Sequence, residues 1–219
     1  MKELAGPWPK GDFPRWNIYT ANEMQALGEM SLLPFNIDQL FFMIQRHACQ
    51  KQSDNAMLLL SSLATDQETS QLKHLLIHPQ MSIRHQALGA IISIRGAEET
   101  NLLIEALNGD WLEDKSQVIH LLQAIGDDRA LFDVMGYYAL QKPYLEAGNF
   151  SYYSGLSLAA YFFRLRHKYP RAKVLFEEMS PLVWNLVLSV GTVTQPEFQP
   201  MMDQMRELHT KEFWHSMRK

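Results

Sequence analysis

The sequence predicts an all-α fold, an α-solenoid built from short stacked helix pairs. Three observations predict it. Apolar residues recur at helical spacing along most of the chain, with little period-2 alternation. Helix stops and caps cut that pattern into short pieces, at Pro34, at Pro79, at "NGD" (108–110), at "GDD" (126–128) and at "KPYLEAGNF" (142–150). An internal period of 30 residues sets Gly96 on Gly126, each followed by a Leu-rich helix, and sets Leu88 and Ile91 on Val118 and Leu121. One short pair cannot bury its apolar stripe alone, whereas stacked pairs share a continuous core.

In chain order, residues 1–36 read as an N-terminal cap of a single domain spanning 1–219. The cap opens with an extended segment rich in Pro and Trp (Pro7, Trp8, Pro9, Pro14, Trp16) and ends in a helix over 21–31. Repeats occupy 37–141, with helices expected at 37–50, 54–65, 68–78, 82–95, 97–108, 112–125 and 128–141. Divergent helices follow at 152–168, 171–189 and 196–217. Asp66, Asp110 and Asp127 stand at helix starts, where a carboxylate accepts the free N–H groups of the first turn.

Composition narrows the function classes. With 47% hydrophobic and 20% charged residues, the 219-residue chain can bury a sizeable core. Its 12 Met suit irregular helical packing and adaptable surfaces. The lone Cys49 excludes an internal disulfide framework and a Cys-rich zinc site. The longest apolar run, "PLVWNLVLSVGTV", has 13 residues, against the ~20 that a bilayer requires. The opening "MKELAGPWPKGDFPRW" carries no apolar leader, so a cytoplasmic location and no membrane partner are expected. Net charge is −4 but uneven: residues 97–133 hold nine acids and two bases, and "RLRHKYPRAK" (164–173) holds five bases and no acid. No broad basic face of the nucleic-acid-binding kind is present. The basic run fits a solvated helix end or a small phosphate contact.

The stretch "HPQMSIRHQALGAI" (78–91) resembles the HEAT-type repeat in the short form found in phycobilin-lyase-like proteins. Pro79, Ile83, Arg84, Ala87 and Ile91 carry the match. His78 stands where that pattern has an acid, and the following unit, "GDWLEDKSQVIHLLQAIGDD", lacks the Pro and the Val-Arg, with Lys115 near the Arg position. The resemblance spans 66–141, extends back towards 37 and ends by 142. It implies a right-handed superhelix whose second helices (54–65, 82–95, 112–125 and 152–168) line the concave face. It also implies that Arg84 bonds helix-end carbonyls or a nearby acid.

On helix 112–125, Val118, Leu121, Leu122 and Ile125 would form the buried stripe, leaving Glu113, Asp114, Gln117 and His120 off the core. With Trp111, Asp127 and Asp128 these residues make up the candidate partner-binding set. The reading that follows is a non-catalytic protein-binding scaffold, monomeric or a weak homodimer, whose acidic surface engages a basic protein. An inhibitor such as an immunity protein against a toxin is the analogous case. Trp111 serves there as aromatic anchor, or else as a packed staple at the helix start. Two alternatives stand beside it. HEAT-like DNA glycosylases pair aromatics with an Asp, for which Trp111 and Asp114 would be the counterparts, although the local acidity repels phosphates. A chromophore lyase or chaperone would use the aromatic quarter around Tyr137, Tyr138, Tyr144, Phe150, Tyr152, Tyr153 and Tyr161–Phe163.

No cofactor or metal is expected. His74 and His78 sit one turn apart, with His85 further on, but no acid or Cys completes a ligand set. They fit an exposed helix face. Glu212 and His215, near His209, form a single Glu-x-x-His, where a di-iron bundle needs two. No His-Glu dipeptide occurs, which removes the helical-repeat hydroxylases, and no phosphate loop or nucleophile elbow is present.

Overall fold

The computed structural model describes residues 37–46, 50–190 and 196–216. The expected N-terminal cap (1–36), its helix 21–31 and Cys49 lie outside the described residues. Among those described, all regular structure is helical and no strand occurs. None of their helices is long and apolar enough to cross a membrane. They divide into two compact units.

The first unit holds the described residues up to Glu99 together with Trp111–Glu113. Helix α1 (Ile37–Gln45) packs on α2 (Gln50–Leu63), and α2 and α3 (Thr69–His74) both pack on α4 (Met81–Arg95). Contact with two helices explains the wide buried face of α4, made of Ile83, Ala87, Leu88, Ala90, Ile91 and Ile92. A 3-10 turn, Asp66–Glu68, leads into α3 and is capped by Thr65 rather than by Asp66. The Glu68 carboxylate accepts the Thr65 N–H at 2.7 Å, completing a capping box. Asp66 instead pairs with Arg95 at the end of α4, which also holds Glu98 at 2.5 Å.

His78 is buried, not on an exposed face. Its Nδ1 accepts the Gln80 N–H at 3.2 Å, and its Nε2 lies 3.3 Å from the Ile44 carbonyl. That pair of partners fits the neutral tautomer with the proton on Nε2. The His-Pro break thus ties the end of α1 to the turn before α4. Arg84 Nη1 donates to the carbonyls of His78 (2.7 Å) and Pro79 (3.0 Å), the capping role expected of it.

The second unit holds Thr100–Asp110 and the described residues from Asp114 onwards. Its helices are α5 (Thr100–Asn108), α6 (Ser116–Ile125), α7 (Leu131–Glu146), α8 (Tyr152–Leu165), α9 (Pro170–Val190) and α10 (Gln199–Ser216). Helix α5 packs on α6 and α7, and α8 packs on α6, α7, α9 and α10. Surrounded in this way, α8 is buried without interruption from Ser154 to Phe162. Its small residues let the neighbours approach: a Cβ on Gly155 would lie 3.3 Å from Leu186 Cδ1. Tyr138, Tyr161 and Phe162 of the aromatic quarter are core, with Phe162 edge-on to Tyr138 (5.9 Å) and Tyr161 (6.0 Å), whereas Tyr144 and Tyr153 are exposed.

Three local expectations change. Helix α6 starts at Ser116, not at 112, because Asp114 Oδ1 accepts the Ser116 N–H at 2.8 Å and ends the loop there. Its buried stripe is Val118, Ile119 and Leu122, with Leu121 and Ile125 half-buried. Helix α7 runs through Pro143 to Glu146, because Pro143 falls in the last turn and its carbonyl still accepts the Ala147 N–H at 3.1 Å. The aligned glycines do share a role: Gly96 (φ 57°) ends α4 and Gly126 (φ 67°) ends α6. Lys115 Nζ donates to the carbonyls of Ala106 (2.8 Å) and Gly109, closing α5 as Arg84 closes the turn before α4.

Candidate functional site

Gln117 and His120, three apart in the first two turns of α6, share one side of the helix, and Asp114 stands in the loop just before it. They line a cleft of about 480 Å³ together with Ser116. Helix α8 contributes Tyr153 and Ser157, one turn apart, and the 3-10 turn Pro196–Phe198 contributes Glu197 and Phe198. Buried Ser157 and Phe198 lie at the base, whereas Tyr153, His120 and Glu197 are exposed. Tyr153 stands edge-on to Tyr152 at 5.2 Å, which fixes its ring beside the opening.

The cleft is electrostatically one-sided. It carries the carboxylates of Asp114 and Glu197, and neither Lys nor Arg lines it. The negative potential reaches the neighbouring Tyr137, whose hydroxyl is pushed up to about 12 by burial first and by the Asp114 charge second. A volume of this size suits one long side chain or a short peptide segment.

The candidate set is divided by the fold. Trp111 (half-buried) and Glu113 (exposed) belong with the first unit, on either side of the fully buried Leu112. Asp114, Gln117 and His120 come together in the cleft of the second unit. Asp127 and Asp128, expected on the same acidic surface, have their charge engaged inside that unit. Asp127 accepts from Thr100 Oγ1 (2.8 Å), the Arg129 N–H (2.9 Å) and Arg129 Nε (2.9 Å). The Arg129 side chain, with Thr100, draws its pKa down to about 2 against the cost of burial. Asp128 pairs with Lys168 and accepts from Tyr169 Oη at 2.5 Å, and these bonds, Lys168 first, hold its carboxyl below the usual range.

The basic run therefore has a partner within the fold. Lys168 meets Asp128, Arg164 donates to the carbonyls of Gln123 and Ala124, and Tyr161 Oη donates to the Asp127 carbonyl at 2.7 Å. Arg166 lies over the Phe163 ring at 3.5 Å. One ion pair, Lys168 with Asp128, and the Tyr169 hydroxyl join the "GDD" turn to "RLRHKY" some 40 residues on.

Sequence reasoning placed Tyr153 in the aromatic quarter, apart from the acidic set, and missed Ser157, Glu197 and Phe198 as cleft residues. The Tyr153–Ser157 spacing is a visible signal, since both fall on one face of a helix. Glu197 has none, because only the folded chain brings it to α6. Among the described residues, no three His, Cys, Asp or Glu side chains are grouped to hold a metal ion. His209 stacks on Trp184 at 5.6 Å, and the side chains of Glu212 and His215 lie outside the described residues. No protein-family model, curated protein or solved structure matches this chain.

Proposed function

We propose that the protein is a non-catalytic binding scaffold of the helical-repeat type, and that its α6–α8 cleft holds a basic segment of a partner protein. The observation that carries the reading is the cleft itself, of about 480 Å³, whose lining brings together two carboxylates, Asp114 and Glu197, and an exposed Tyr153. A guanidinium fits this chemistry on both counts, since it bonds carboxylates through its forked donors and stacks on aromatic faces. An inhibitor of a basic toxin is the functional class that such an acidic receptor surface serves.

The HEAT-type solenoid reading is part of this proposal. Its support is the packing of α6 on α8 and of α5 on α7, the equivalent glycines 96 and 126, and the shared capping role of Arg84 and Lys115. Titrating the isotope-labelled chain with a short Arg-containing peptide, and following backbone resonances, tests where the ligand sits. The expected shifts cluster at Gln117, His120 and Tyr153 and spare Asp127 and Asp128. Shifts centred on the Asp127–Asp128 turn would overturn the assignment.

A further inference from the structure

We infer that two copies of the protein associate through the outer face of α7, antiparallel about a two-fold axis. Arg129, Phe132, Gly136, Ala139, Pro143 and Glu146 follow one another at alternating spacings of three and four, and all six are exposed. That alternation is the seam by which one helix packs along another. Phe132 and Leu140 beside it are each 73% exposed, far beyond what a helix face turned to solvent requires. A Cβ on Gly136 would meet nothing within 4 Å, so the centre of the seam is open and lacks a side chain.

The seam is a chemical palindrome. A two-fold axis between positions 137 and 138 sets Gly136 of one copy against Ala139 of the other, which lets the backbones approach. The same operation sets Phe132 against Pro143 and Arg129 against Glu146, each pair twice. A parallel arrangement would place Arg129 on Arg129 and Glu146 on Glu146, so charge selects the antiparallel second copy. Within one copy Arg129 holds Asp127 at 2.5 Å and Glu146 lies 3.8 Å from Lys142, and both ends stay exposed and able to share their charge. These rim pairs set orientation, and the apolar centre supplies the attraction. A single helix face falls short of the ~800 Å² per partner of a standard interface, so the dimer dissociates on dilution.

Sedimentation velocity of the full chain over a concentration series tests this. The wild type is expected to shift from monomer to dimer as concentration rises. Gly136→Glu projects into open space and removes a helical glycine, so it should melt no lower than the wild type while remaining monomeric throughout. Glu146→Gln, which leaves the bond of Arg129 to Asp127 in place, should weaken the dimer several-fold, by a factor that shrinks as salt rises. A wild type that stays monomeric at the highest concentration overturns the inference and leaves the seam to a different chain. A dimer indifferent to Gly136→Glu overturns it as well, because its contact then lies elsewhere.

Discussion

Arg164 of α8 donates through Nη1 to the Gln123 carbonyl at 2.6 Å and to that of Ala124 at 2.9 Å, closing the C-terminal end of α6. A cation there satisfies carbonyls that the helix leaves open and complements its dipole. Gly126 makes the contact possible in two ways. Its φ of 67° turns the chain out of α6, and a Cβ at that position would lie 2.6 Å from Arg164 Cδ.

Arg164→Ala should therefore destabilise by ~1–3 kcal/mol, as for loss of a charged hydrogen bond. Gly126→Ala should cost ~1–2 kcal/mol from its left-handed backbone and should also displace the Arg164 side chain. Because each change undoes the same contact, the double variant should fall short of the summed losses by ~0.5 kcal/mol or more in urea denaturation. Strict additivity would show that the glycine and the arginine act separately.

Asp127 supplies a pH signature. Its folded-state pKa, near 2, lies below that of an unfolded Asp at ~3.9, so its ionised form favours the fold above that range. The contribution is complete above the unfolded value and disappears as pH falls from about 4 to about 2. Asp127→Asn should lower stability at neutral pH, and the gap from the wild type should close as pH approaches 2 in thermal melts. A gap that stays constant down to that pH would mean that the charge of Asp127 contributes nothing.

Arg84 and Lys115 make a matched pair of helix-end caps, although one is guanidinium and the other ammonium. Arg84→Ala and Lys115→Ala should each destabilise by ~1–3 kcal/mol. Lys115 is partly buried, which lowers its pKa, and its Nζ lies on two carbonyls. An unchanged denaturation midpoint in either variant would make that residue a surface charge only.

The helices were legible in the sequence because their apolar periodicity and their breaks are local. The positive-φ glycines 96 and 126 were visible as a repeat because both end a second helix. Helix starts were less so: whether Asp110 or Asp114 caps α6, or Thr65 or Asp66 begins the 3-10 turn, depends on which side chain closes the bond. Charge was legible as composition but not as pairing. The acidic turn 126–128 and the basic run 164–173 read as two surfaces, and long-range contact between α6 and α8 joins them through Arg164 and the Lys168–Asp128 pair. Glu197 came to the cleft by the same long-range route, which a single chain does not encode locally.

The central claim is that the cleft recognises a basic segment through Asp114, Glu197 and Tyr153, and the direct measurement is the dissociation constant of an Arg-containing peptide at low and high salt. The Asn of Asp114→Asn can still accept the Ser116 N–H, so that variant and Glu197→Gln both remove charge while keeping local bonding. Each should weaken binding by ~10-fold or more at low salt, with the difference shrinking as salt screens beyond ~8 Å. Tyr153→Ala should weaken it with little salt dependence, as loss of a stacking face does. An affinity unchanged in all three variants, or equal affinity for an acidic peptide of the same length, would contradict the account.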